Sequence, residues 1–280
     1  MSGGENGSLH ASGLAKAFRS RSGSQTQVLV NCSIDIESGK LTVLMGPSGC
    51  GKSTLAHILA GYITPDAGSI ICDGAPVQGA GPDRLMVFQE TALWPWMSVI
   101  DNVMFGPLVR AAIPRTQARQ RAEALLQRFG LSSFQDKFPH QLSGGMQRRV
   151  EIAQALINSP KVMILDEPFR GLDIMTRELM QEYYLSIFED LRFTTLFITP
   201  EIDEAIFLAD RILVMAPAGG AIVETIEVDL PRPRHFELLA SDRYQALQAH
   251  MLQLLDREHE DLALETPPAR AGHIHTQNRR

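Results

Sequence analysis

The run Gly46-Pro47-Ser48-Gly49-Cys50-Gly51-Lys52-Ser53 fits G-x-x-x-x-G-K-[ST] at every fixed position. These residue types suit one kind of ligand. Glycines let a backbone curl until successive N–H groups face inward at phosphate oxygens. A helix that follows aims its positive end at the same anion. Lys52 is placed to reach the β- and γ-phosphates of a nucleoside triphosphate and Ser53 to hold Mg²⁺, with Thr54 as a further phosphate contact. Cys50 lies inside the loop, where its thiol packs and does not react. A glycine turn that happens to contain Lys-Ser is the plainer alternative. The apolar run 41–45 before the loop and the helical stretch after it favour phosphate binding.

A second apolar run, 162–165, ends in Asp166-Glu167-Pro168. Asp166 would support Mg²⁺, directly or through water. Glu167, one residue on, points elsewhere and suits a general base orienting water at the γ-phosphate. A strand capped by solvated acids is common, but beside a phosphate loop the two acids gain a purpose. A third group is Leu142-Ser143-Gly144-Gly145-Met146-Gln147. Ser143 stands where a helix N-cap belongs, and the two glycines leave N–H groups bare at the helix start. This is either an ordinary cap or a second anion site, which would serve a nucleotide held by another copy.

The elements that must position these groups alternate. The sequence predicts strands at 28–30, 33–36, 41–44, 69–72, 85–88, 162–165, 195–199 and 212–215. Helices are predicted at 52–60, 116–129, 175–191, 201–209 and 236–256, and the texture is helical throughout 91–159. Such alternation argues for an α/β core. The 280-residue length suits one sheet-centred domain with a helical insertion. Residues 265–280 read as disordered and 1–8 as a loose tail without a secretion signal. A net charge of −6 argues against a general nucleic-acid binder. Apolar runs stay below the roughly 18 residues that cross a bilayer. Cys32, Cys50 and Cys72 form no CxxC pair and read as reduced cytosolic thiols.

In order and spacing, these motifs resemble the ATP-binding subunits of ABC transporters across residues 9–235. Leu-Ser-Gly-Gly-Met-Gln at 142–147 matches that family's signature. The resemblance implies a P-loop NTPase core with an antiparallel β subdomain and a helical subdomain at about 91–159, followed by a C-terminal helix and tail at 236–280. It implies ATP and Mg²⁺ as cofactors and a head-to-tail dimer in which Ser143, Gly144 and Gly145 close over ATP on the opposite subunit. Gln89 matches the Gln loop, which links the γ-phosphate and Mg²⁺ to the helical subdomain. Gly171-Leu172-Asp173 matches the D-loop. Phe18 matches the aromatic that stacks on adenine, although an insertion around 20–25 follows it and a core Phe is the alternative. Implied partners are transmembrane permease subunits, a second ATPase subunit (identical or not) and, indirectly, a periplasmic or lipoprotein solute-binding protein. The implied location is the cytoplasmic face of the cell membrane.

A finer resemblance, to nitrate/sulfonate/taurine importers, rests on Gly81-Pro82-Asp83-Arg84, Val87-Phe88-Gln89-Glu90, Leu93-Trp94-Pro95-Trp96, Asp101-Asn102-Val103 and Asp229-Leu230-Pro231-Arg232-Pro233-Arg234. Trp94-Pro95-Trp96 suits either a docking surface for the permease or internal packing. Four positions depart from the pattern. Pro200 replaces the switch histidine, and proline has no donor. That predicts slow hydrolysis at this chain's own phosphate loop and keeps open a second reading, a hydrolysis-poor subunit paired with a different ATPase. Glu151, Gln154 and Arg170 stand where Ala, Arg and a smaller residue are usual, and are expected to alter the dimer interface.

Overall fold

The computed structural model describes residues 7–20 and 23–265, so the tail expected beyond Glu265 and most of the N-terminal segment lie outside the described residues. In chain order the elements are β1 (Leu9–Arg19), β2 (Gln25–Ile36), β3 (Leu41–Met45), α1 (Lys52–Ala60), β4 (Ala67–Cys72), β5 (Ala75–Pro76) and β6 (Arg84–Val87). Three helices follow, α2 (Val99–Val109), α3 (Arg115–Arg128) and α4 (Gly144–Leu156). The chain then returns to β7 (Val162–Asp166), α5 (Ile174–Leu191), β8 (Thr194–Ile198), α6 (Ile202–Leu208), β9 (Arg211–Met215), β10 (Ile222–Glu227) and α7 (Asp242–Glu265).

Strands β3, β7 and β8 are buried along their whole length, which is why they read as unbroken apolar runs. They belong to a six-stranded sheet in the order β10-β9-β3-β8-β7-β6, parallel except for β10. Parallel neighbours end at the same edge, so the chain leaves β3, β7 and β8 side by side. A crevice outside the carboxyl ends of such strands is where ligands bind in open α/β sheets.

A second sheet, in the order β2-β1-β4-β5, is antiparallel. Its strand β2 is continuous where the sequence suggests two pieces. Asn31 sits at φ 53° and the β1–β2 register slips between Leu14 and Lys16, so the apolar alternation resets inside one strand. Helix α1 lies between the sheets, in a core that includes Leu9, Leu29, Leu55, Leu59, Ile164 and Ile198. The other face of the six-stranded sheet carries the remaining helices, with Val103, Leu125, Ile152, Phe188 and Phe207 in its core.

Candidate nucleotide site

The loop after β3 curls because its glycines permit it. Gly51, at φ 111°, forms the N-cap of α1, and a Cβ there would press on Val28 and Leu29. At Gly46 a Cβ would lie 2.8 Å from the carbonyl oxygen of Met215. Helix α1 has no side-chain cap, so its first N–H groups face the loop without a local acceptor. Lys52 is buried, and its Nζ donates to the carbonyls of Gly46 at 2.7 Å and Pro47 at 2.9 Å, which holds the ammonium over the loop. Burial pushes the Cys50 thiol up, in keeping with a packing role.

Asp166 closes β7 and Glu167 begins the turn after it. The Asp166 carboxyl is buried, and its Oδ1 has no hydrogen-bond partner. Burial raises its pKa, opposed by a hydrogen bond with Ser53. A buried, half-satisfied carboxylate bonded to a hydroxyl is a hard-oxygen pair that fits Mg²⁺, an ion that takes one or two protein ligands and fills the rest from phosphate and water. Glu167 adopts φ 44°, and its N–H donates to Ile198 at 3.0 Å. This turns its side chain away from Asp166, towards a cavity of about 170 Å³ lined also by Ser48, Thr199, Pro200, Arg170 and Arg177.

The two arginines were not singled out as site residues from the sequence. Arg170 Nη1 donates to Glu167 Oε2 at 2.8 Å, and Arg177 lies 4.0 Å from the carboxylate of Glu201. Their approach depends on how the chain curls back after β7, which no local pattern encodes. Pro200 is exposed at the end of β8, and the cavity wall there carries no imidazole. The N–H of Glu201 donates to Thr199 Oγ1 at 3.1 Å.

Ser143 caps α4, its hydroxyl accepting from Met146 N at 3.3 Å. The glycines beside it pack on the chain after Gly171. A Cβ on Gly144 would lie 3.4 Å from Leu172, and one on Gly145 would lie 3.0 Å from Thr176. The structure therefore keeps this motif out of the cavity beside Ser48. Gln89 has an exposed side chain and a carbonyl held by Arg148. Phe18 is 41% exposed at the end of β1, with the ammonium of Lys16 5.7 Å from its ring centre, and so is not a core residue.

Residues 29–170 match the ABC transporter family. The chain belongs to that family. Its described helices include none long and apolar enough to cross a membrane. The nitrate import ATP-binding protein of Synechococcus elongatus is 41% identical over 262 residues, covering 91% of this chain and 94% of that one. The taurine import ATP-binding protein of Yersinia pestis is 44% identical over 221 residues, covering 79% and 84%. An ATP-binding cassette solved as a dimer in a post-hydrolysis state with ADP and Pi superposes with a TM-score of 0.68 at 28% identity, covering 80% of this chain and all of that one. The chain is thus an ABC-type ATPase with a nucleotide-binding cassette fold.

Two expectations about this ABC chain change. Glu151 is buried and pairs with Arg148 inside the chain, so it does not face a second cassette. Gln154 is likewise turned inward, donating to Asn102 O at 3.0 Å.

Proposed function

We propose that the chain is the ATP-hydrolysing subunit of an importer for a small solute of the nitrate, sulfonate or taurine kind. It works on the cytoplasmic face of the membrane with transmembrane permease subunits, and a solute-binding protein delivers cargo from the other side. The observation that carries the chemistry is the convergence of Lys52, Asp166 and Glu167 at one sheet edge, where the carboxyl of Asp166 feels the charges of the other two. The import assignment is supported by relatives more than 40% identical that are nitrate and taurine import ATP-binding proteins. Residues 9–235 form the ATP-binding domain, with a helical subdomain at about 91–159 and an extension at 236–280.

In this reading the loop from Gly46 to Thr54 wraps the phosphates with the N–H groups of its residues other than Pro47, Lys52 neutralises the β/γ oxygens, and Phe18 stacks on the adenine. Ser53 and Asp166 hold Mg²⁺, with Gln89 as a further ligand; when bound, the ion neutralises charge on the transferring phosphoryl group. Glu167 accepts a proton from the attacking water and orients it. Ser143, Gly144 and Gly145 complete the site of a second cassette, identical or different. Trp94 borders a cleft of about 270 Å³ beside Phe105 and Glu151, and Trp96, 69% exposed, packs against Trp94 with ring centres 5.3 Å apart. Aromatic anchors of this kind suit the permease interface.

The test is Lys52→Ala with nucleotide affinity measured by calorimetry. The substitution abolishes tight ATP binding. An affinity within about twofold of wild type, which is under 0.5 kcal/mol, rejects the phosphate-loop assignment.

A further inference from the structure

Arg148 and Glu151 stand one turn apart on α4 and are 7% and 4% exposed. They bind each other at 2.7 Å through Arg148 Nη1 and Glu151 Oε2. Both also reach out of the helix to the same short segment. Arg148 Nη1 donates to the carbonyl of Phe88 at 2.7 Å, and Nη2 donates to that of Gln89 at 2.7 Å. Glu151 Oε1 accepts from the N–H of Ala92 at 2.6 Å. Residues 88–92 follow β6 and belong to no strand or helix, so no sheet ladder supplies partners for these backbone groups.

Burying two charges is expensive unless geometry and hydrogen bonding are good. Burial lowers the pKa of Arg148 and raises that of Glu151, each opposed by the other's charge. Replacing such a pair by apolar residues is often neutral or stabilising, so stability alone is a weak reason to keep it. What the pair does that apolar residues cannot is grip the backbone on both sides of Gln89. The grip continues beyond it. Asn102, fully buried on α2, accepts from Trp94 N at 2.8 Å and donates to the carbonyls of Trp94, Met97 and Ser98. Gln154 on α4 then donates to Asn102 O, which joins the two helices to the one segment.

We propose that Arg148 and Glu151 are positioning residues that fasten the Gln89 segment to the signature helix, so that Gln89 and Ser143 move as one rigid piece. The inference rests on the reading of Gln89 as a γ-phosphate and Mg²⁺ contact and of Ser143 as the start of the signature. Neither Arg148 nor Glu151 touches nucleotide. Their effect falls on where Gln89 arrives when the helical region closes.

The chain's two tryptophans, Trp94 and Trp96, both lie just after the fastened segment, so intrinsic fluorescence reports on it. The experiment compares wild type, Glu151→Ala, Glu151→Gln and Gln89→Ala as full chains, measuring ATP affinity, steady-state hydrolysis and the tryptophan change on adding MgATP. Glu151→Ala is expected to keep the wild-type ATP affinity, lose the tryptophan change and lower kcat about 10–100-fold, the scale of a misplaced active-site group. Glu151→Gln retains an acceptor for Ala92 and is expected to recover most of the loss. Should Glu151→Ala fail to fold, Arg148→Lys, which keeps the charge but cannot hold both the Phe88 and Gln89 carbonyls, takes its place with the same expected loss, and a wild-type kcat and fluorescence in it overturns the fastening role. Gln89→Ala is expected to lower kcat with the tryptophan environment in the free protein unchanged. If Gln89→Ala slows hydrolysis while neither Glu151 variant alters kcat or fluorescence, the fastening role is overturned and the Gln89 reading stands. Wild-type hydrolysis by Gln89→Ala overturns the Gln89 reading and the proposal with it.

Discussion

Pro200 sets the rate question at the residue scale. It removes a donor from the wall that faces Glu167, and the residues on either side of it, Thr199 and Glu201, carry no cationic donor in its place. The carboxylate of Glu201 would repel a γ-phosphate, and its N–H is committed to Thr199. Losing one donor to developing charge commonly costs about 10²–10³ in rate, or ~3–4 kcal/mol. Pro200→His is therefore expected to raise the single-turnover hydrolysis rate at saturating ATP by at least about tenfold, with ATP affinity unchanged. A wild-type rate equal to that of histidine-containing relatives, with no gain from the substitution, contradicts this. The residues of the phosphate-loop pattern were legible in the sequence because phosphate binding would dictate their types and spacing. Arg170 was legible only as an oversized neighbour of the D-loop. Its ion pair with Glu167 needs the turn at residues 167–170, where Arg170 N donates to Glu167 O at 3.1 Å.

Among the elements, α6 depends on distant residues to hold it. It has only seven residues and begins directly after Pro200 and Glu201. Buried Arg234 donates to the carbonyls of Ile206, Phe207 and Ala209 at its end, and to Val228 and Leu230 beyond. Arg232 bonds Leu208 O at 2.8 Å and pairs with Asp210 at 2.7 Å. Phe236 stacks on Phe207 with ring centres 4.5 Å apart. Arg234→Ala strands several buried carbonyls and is expected to lower stability by about 2–4 kcal/mol, read as a lower urea midpoint with an unchanged m-value. A shift under about 0.5 kcal/mol, typical of surface changes, would show that water replaces the guanidinium. From the sequence, the 229–234 stretch marked a subfamily without disclosing why. Its reason is a cap on a helix some 25 residues earlier, which no local periodicity carries. By contrast, β3, β7 and β8 were legible as continuous apolar runs, since a strand covered on both faces has no polar side to interrupt it.

At the scale of the whole molecule, the site in one chain is only half of what the motifs describe. The phosphate loop and acids meet at the sheet edge, while Ser143 and its glycines sit against the start of α5 and line no part of that cavity. A second cassette supplies the natural complement, and the solved relative with ADP and Pi is itself a dimer. Composite sites make a specific prediction for mixed pairs of Ser143→Arg and Lys52→Ala chains. Each such pair holds one site with both defects and one with neither, so hydrolysis returns in the mixed dimer although both parent homodimers are silent. The sequence disclosed the missing half through its second anion-binding loop.

In the proposed mechanism Glu167 activates the water that attacks ATP held by Lys52 in a site closed across a dimer. Size-exclusion chromatography of Glu167→Gln with ATP and Mg²⁺, run beside a hydrolysis assay, tests it most directly. Lys52 and the loop N–H groups remain, so ATP still binds and draws the second signature over it. Without the carboxylate the closed state persists. Glu167→Gln is expected to elute as an ATP-bound dimer with hydrolysis reduced at least about 100-fold, as for loss of a general base. A Glu167→Gln chain that stays monomeric and hydrolyses ATP at the wild-type rate would contradict it.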